Sequence, residues 1–300
     1  MFHFRFEFSL VSTKTKYLVT SLGFEAKEVD ISITGLLHVS VFIGKNNLSL
    51  VFYDESKNRN ELSPIDITLP VAAYVRYEGP RIHSFTPFNF SNWMNHIWTI
   101  FCCTRKPNIR FYQGCEKYEI ELVKDIIGNV NLLFVSRLVT DVLSKEILKH
   151  FNTSNLLSLG RNPFEDTCQT QRVFIQNFET IEFCDVYSLD DMLLINIQKV
   201  VFTHSISRKQ FNQFVKHWIH GSNPRLQRMD LSIDKIDFLS GDVYLKGIKC
   251  MKMSEDAKRE IRQKHELLEG GMVQVRREDG TPAVIATNNH RPKIHLIVLH

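Results

Sequence analysis

The stretch Lys199–Ile233, KVVFTHSISRKQFNQFVKHWIHGSNPRLQRMDLSI, constrains the chain more than any other, because it dictates strand, helix and strand in that order. Its centre carries Phe211, Phe214, Val215, Trp218 and Ile219 at i, i+3, i+4, i+7 and i+8, a single helical face that has to be buried. Ser207 stands at the N-cap with Gln210 three residues on, so hydroxyl and amide can satisfy two orphan backbone donors reciprocally. Gly221 ends the helix and Pro224 prevents its resumption. From Leu226 to Ile233 the apolar residues Met229, Leu231 and Ile233 alternate, the pattern of a strand with one buried face. Two such strands joined by a helix are expected to lie parallel.

Similar units precede this one. Strands are expected at 109–112, 131–136 and 156–159, with helices at 91–101, 116–127 and 139–151. Phe111, Val135, Leu159 and Phe183 recur every 24 residues, then Phe202 follows after 19 and Leu231 after 29. One strand and one helical return per period is the signature of a leucine-rich-repeat-like solenoid, here irregular because the Leu and Asn consensus is absent. This register overrides local propensity at 169–178, QTQRVFIQNF, where Val, Phe and Ile favour a strand but a helical return is expected.

The expected fold class is therefore α/β: an irregular solenoid of βα units, preceded by a short antiparallel β meander and closed by a C-terminal β hairpin. A helix is expected at 10–22. The meander follows from period-two runs at Val29, Ile31 and Ile33, at Val39, Val41 and Ile43, and at Leu48, Leu50 and Phe52, with Lys45-Asn46-Asn47 as a turn. Pro80 and Pro87 mark a connection, placing a boundary near 80–90, between a segment 24–77 and a domain 91–300. A strand is expected at 243–250, then a charged helix from Glu255 to Leu268, capped by Ser254 and ended by Gly270-Gly271. Asp279-Gly280 sets the hairpin, Pro282 argues for an edge strand, and Ile294–Leu299 would add a third strand.

The chain has 300 residues, 43% hydrophobic and 23% charged, and its net charge of +4 is too mild to point to nucleic acid. No apolar run has the roughly 18 to 20 residues of a membrane span. Arg5 and Glu7 interrupt what would have to be the apolar core of a signal peptide, so a cytosolic or nuclear protein is expected. In a reducing compartment the six cysteines, without CxxC or zinc spacing, read as plain thiols. His217 and His220 lack a third metal ligand, His265-Glu266 lacks a second histidine, and Cys102-Cys103 lacks a nucleophile signature. Asp190-Asp191 reads as the first turn of a helix. With no phosphate loop or nucleophile elbow, neither an enzyme nor a metal or cofactor is expected.

If the register residues point inward, their neighbours Arg110, Tyr112, Ser136, Ser158, Glu182, Asp230 and Ser232 occupy the opposite, exposed sheet face, the face on which solenoids commonly bind partners. The alternative reading is a row of solvated strand positions.

Four blocks in order, SLDDMLLIN (188–196), KVVFT (199–203), FNQFVKHWIHGSNPRLQRMDLSI (211–233) and RREDGTPAVI (276–285), resemble the type 2 F-box-associated domain of the large nematode F-box family. FSLVSTKTKYLVTSL (8–22) is similar to the tail of that family's F-box, with only Met1–Glu7 before it, so the F-box is expected to be truncated. The resemblance implies a non-catalytic substrate-recognition adaptor of a Skp, cullin and F-box ubiquitin ligase, with an unidentified protein substrate. Leu10, Lys14 and Leu18 would face the Skp-type adaptor. A stand-alone, monomeric protein-interaction module that has lost ligase attachment is the alternative.

Overall fold

In the computed structural model, which describes residues 2–53, 66–75, 81–82, 87–151, 153–165, 169, 172–173, 178–184, 188–233, 244–288 and 292–299, period-two and period-3.6 segments alternate to give a mixed α/β protein. It divides into two compact units, Met1–Thr153 and Ser154–His300.

The first unit opens with two helices, α1 (Phe2–Ser9) and α2 (Thr13–Thr20). Ser12 caps α2 in a reciprocal box with Thr15, which breaks the single helix expected over 10–22 in two. The meander is β1 (Glu28–Ile33), β2 (Leu37–Ile43) and β3 (Asn46–Tyr53), continued by the short β4 (Ala72–Val75) and β5 (Arg81–Ile82). Then come α3 (Phe90–Ile100), β6 (Asn108–Phe111), α4 (Ile120–Ile127), β7 (Val130–Val135) and α5 (Asp141–His150). The strand order is β7-β6-β1-β2-β3-β4-β5. Because β1 pairs in parallel with β6, with Ile31 opposite Ile109, the ladder joins the meander to the βα units across the boundary expected at 80–90. Packed against this sheet, α3 seats Trp93 and Phe90 on Phe52, with ring centroids 5.8 and 5.3 Å away, and Trp93 Nε1 donates to the Val71 carbonyl at 2.9 Å.

The second unit contains β8 (Thr153–Leu159, from its second residue), β9 (Thr180–Phe183), α6 (Leu189–Leu194), β10 (Lys199–Ile206), α7 (Arg208–Ile219), β11 (Arg228–Ile233), α8 (Glu255–His265), β12 (Met272–Arg276), β13 (Pro282–Thr287) and β14 (Lys293–Val298). Its order is β8-β9-β10-β11-β14-β13-β12, parallel through β11 and antiparallel beyond it. The register residues stand side by side: Phe111 opposite Val135 in the first unit, Leu159 opposite Phe183, Phe183 opposite Phe202 and Phe202 opposite Leu231 in the second. All are buried.

Three local expectations give way. At 243–250 no strand forms among the described residues: Tyr244–Gly247 is a turn. Both sides of β11 are already taken, by β10 and β14, so the chain instead lies across α7, where Asn212 donates to the carbonyls of Tyr244 and Lys246 at 3.0 and 3.1 Å. Pro282 is not on an edge, because β13 lies between β12 and β14; as the first residue of its strand it can omit a donor without breaking the ladder. The free edge is β12, and its middle residue Gln274 is bridged by Met251 through two backbone bonds of 2.8 and 3.0 Å. Helix α8 stops at His265, with Glu266 left-handed at φ 53°. That reversal lets Leu267 join Ile261, Met272, Val284 and Ala286 in an apolar cluster. Of 169–178, residues Gln169, Arg172 and Val173 are helical and Phe178 is buried; the others lie outside the described residues.

The packing predicts where the second unit is most sensitive. Trp218 is fully buried with Phe211, Phe214 and Val215 on the inner face of α7. Trp218→Ala should cost on the order of 3 to 5 kcal/mol, read as a lower urea midpoint with an unchanged m-value.

Candidate functional site

The residues expected on one exposed sheet face fall in both units, and each set has its own environment. In the first unit Arg110 lies half-buried on β6, its guanidinium 3.6 Å from Asp30 on β1. Tyr112 follows the strand, its ring 5.3 Å from that of Phe134. Ser136 does not present a free hydroxyl: it is buried, its N–H donates to the Phe111 carbonyl at 2.9 Å and its Oγ accepts from the Leu138 N–H at 3.3 Å.

In the second unit Ser158, Glu182, Val201, Asp230 and His295 form one row across β8, β9, β10, β11 and β14. Ser158 is buried, contrary to the expected exposure, and donates to Glu182 Oε2 at 2.8 Å. Asp230 accepts from Arg228 Nε on both oxygens, at 3.0 and 3.1 Å, and His295 Nδ1 lies 2.8 Å from Oδ1. Burial pushes the Asp230 carboxyl up, but hydrogen bonds and charge from His295 and Arg228 outweigh it and hold the group below the usual range. Ser232 occupies the next row, between Ser205 and Lys293. Ala286, opposite His295, belongs to the cluster that seats Ile261 of α8, so this helix covers part of the same face. Its last residue, His265, is pushed down by burial and by the positive charge of Arg228. This face is thus a pre-satisfied polar network in which His295 and Arg228, unmarked by any sequence motif, do the pairing.

Three of the four sequence blocks, 188–196, 211–233 and 276–285, meet in space at the end of α7, while 199–203 lies in β10 and pairs with β11 of the third block. Ser188 caps α6 and exchanges bonds with Asp191, whose carboxylate accepts from the Ser188 N–H and Oγ at 3.0 and 2.7 Å. The chain leaves α7 through Gly221 at φ 108° and Asn223 at φ 53°. From there the Asn223 amide donates to the carbonyls of Met192, Leu193 and Ile195 at 3.1, 3.3 and 2.6 Å, satisfying the C-terminal end of α6. Arg277 lies over Trp218, 5.4 Å from the ring, and donates to the Ser222 carbonyl at 2.8 Å. The Glu278 N–H donates to the Ile219 carbonyl at 2.9 Å, and its carboxylate lies 2.7 Å from His220 Nδ1. His220 is therefore engaged by a carboxylate and His217 is exposed. Among the described residues no group of three or more His, Cys, Asp or Glu could hold a metal ion. Burial pushes the Cys103 thiol up to about 12, which leaves it protonated near neutral pH.

At the N-terminus Leu10 is buried, whereas Lys14 and Leu18 are exposed. Phe4, Phe8, Val11, Tyr17 and Leu22 are exposed as well, an apolar cover on the two helices. The pair is tied to α3 through Ser9, whose Oγ donates to the Phe6 carbonyl at 2.5 Å and lies 2.8 Å from His96 Nε2. With the hydroxyl proton so used, Nε2 is the donor of a neutral imidazole. Phe6 and Phe88 flank that ring at 5.7 Å.

Comparison with known proteins follows this geometry. Residues 169–231 match the family model described as F-box associated, a stretch that includes the first two sequence blocks and all but the last two residues of the third. The F-box associated domain-containing protein sdz-33 of Caenorhabditis elegans is 26% identical over 153 residues, 50% of this chain. The match spans 48% of that relative, about half its length. No solved structure matches the chain.

Two expected outcomes test this architecture. Asn223→Ala removes the amide that serves three carbonyls and strains a positive φ, and should cost about 2 to 4 kcal/mol in chemical denaturation, whereas Asn223→Gly relieves the strain alone and recovers only part of the loss. His96 is pushed down from 6.5 to about 4, first by burial and then by Lys16, so its neutral form is favoured in the fold. Above pH 6.5 it contributes nothing; from 6.5 down to about 4 the unfolded chain takes up a proton that the fold refuses, and stability falls. Relative to His96→Phe, the wild type should lose on the order of 3 kcal/mol across that window, measured by denaturation at successive pH values.

Proposed function

We propose that this chain, whose residues 169–231 match the F-box-associated family model, is a non-catalytic substrate-recognition adaptor of the kind that serves Skp, cullin and F-box ubiquitin ligases. The observation that carries the reading is the convergence of the family's blocks on one rigid junction, where Asn223, Arg277 and Glu278 fasten α6, α7 and the hairpin together. Such a junction suits a scaffold, since the Asn223 amide nitrogen and the Arg277 guanidinium donate to backbone carbonyls. The pairing of Asp230 with Arg228 and His295 supports the same view, because a saturated carboxylate is a poor general base. In this reading the parallel strands of each unit are turns of an irregular, leucine-rich-repeat-like solenoid, supported by the in-register pairs around Phe111 and Phe183. No helix among the described residues is long and apolar enough to cross a membrane, which suits work alongside a ligase in the cytosol or nucleus.

The stand-alone module is the second reading, favoured by the burial of Leu10, which withdraws one of the residues expected to meet a Skp-type adaptor. Titration calorimetry with a purified Skp-type adaptor separates the two. Binding that is weakened at least about tenfold by Leu18→Asp supports ligase attachment, because an apolar anchor carries interface energy. No binding by the wild type, together with recovery of a second protein from cells, supports the stand-alone module.

A further inference from the structure

Among the described residues, the outer side of α7 and residues 244–254 form one basic face. In 199–233 and 244–254 the described residues include nine lysines and arginines and one acid, Asp230, which Arg228 and His295 already engage. Lys209, Asn212 and Lys216 lie on one stripe of α7, at i, i+3 and i+7, about 10 Å from end to end. Asn212 grips the carbonyls of Tyr244 and Lys246, and the Tyr244 ring packs 6.3 Å from that of Phe211, so the turn is moored along the stripe. Gly247 sits against Lys216, whose Nζ would be 3.6 Å from an added Cβ. Lys209, Lys216, Lys246, Lys249 and Lys252 are all exposed, and none makes an ion pair among the described residues. The acids next along the chain are engaged locally, Glu255 by Lys258 at 2.7 Å and Asp256 by Arg259 at 3.6 Å. At the far end of α7, Glu278 is held by His220.

We propose that this face docks an acidic segment of the protein that the chain recognises, an assignment that rests on the adaptor reading above. Like charge that is unpaired among the described residues, and that over the whole of 199–254 counts ten lysines and arginines against four acids, gives long-range attraction and register for an oppositely charged partner. An Asp- and Glu-rich polypeptide fits better than the other anionic surfaces. The aromatic rings of α7, Phe211, Phe214 and Trp218, are buried, so bases would have no stacking platform. Among the described residues of 199–254 no large apolar side chain is exposed, so this part of the face offers a bilayer no inserted anchor.

The test uses the full chain and a fluorescein-labelled poly-glutamate peptide, read by anisotropy. Wild type should bind, and binding should weaken as added salt shortens the Debye length towards about 8 Å. The variant K209E/K216E/K246E/K249E, at unchanged melting temperature, should bind at least about tenfold more weakly, whereas the corresponding four Lys→Arg changes should leave affinity within about twofold. Should the reversal variant fail to fold, the four Lys→Gln changes replace it, with a loss of the same direction. Equal binding by the folded charge variant, or a wild-type preference for oligothymidylate or for phosphatidylserine vesicles over poly-glutamate, would overturn the assignment. Recovery from cells distinguishes the two levels: a charge variant that still retains the wild type's protein partner sinks the basic face and leaves the adaptor reading standing. A wild type that retains no protein partner sinks that reading itself.

Discussion

Everything in the second unit that is specific to its sequence turns on one amide. Asn223 reaches back from a left-handed residue to three carbonyls at the end of α6, and in doing so fixes the direction in which the chain leaves α7. The exposed ends of two helices would otherwise each need water or further caps. With them joined, Trp218 is placed under Arg277, and the hairpin strand that carries Arg277 is brought to the same point. Burial of the α7 face supplies most of the energy, but the amide selects which of the possible packings is adopted.

This junction also explains how an ordered set of short motifs can mark a family through structural residues. Gly221 supplies one positive φ and Asn223 a second, which few side chains tolerate without strain, and only a side-chain amide at Asn223 then reaches three carbonyls with donors. The RREDG block lies outside residues 169–231 yet closes on the same turn through Arg277 and Glu278. The motifs are therefore the parts of one structural joint read out in chain order.

Much of the fold was legible because periodicity survives divergence. The side-by-side placement of Leu159, Phe183, Phe202 and Leu231 follows from spacing alone, since each βα turn must return a strand to the same level of the sheet. What periodicity does not contain is which strand sits next to which. The parallel pairing of β1 with β6 and the insertion of β14 between β11 and β13 are long-range choices, and from them follow the interior position of Pro282 and the turn at Tyr244–Gly247. For the candidate surface, alternation identified the face but not its occupants. Ser158 lies under Glu182, and α8 descends on the far end through Ile261, the one large apolar residue of a mostly charged helix.

The bridge between Met251 and Gln274 bears on how the second unit keeps to itself. Strand β12 has five residues, and alternation directs the peptide groups of only Met272, Gln274 and Arg276 away from β13. The middle one is occupied from outside by Met251, in both donor and acceptor. An extended peptide arriving from solvent would meet no two successive open rungs, so neither templated growth of the sheet nor capture of a partner as an extra strand can begin there. Any contact along this edge is in consequence left to side chains, which can be exchanged one at a time without touching the ladder.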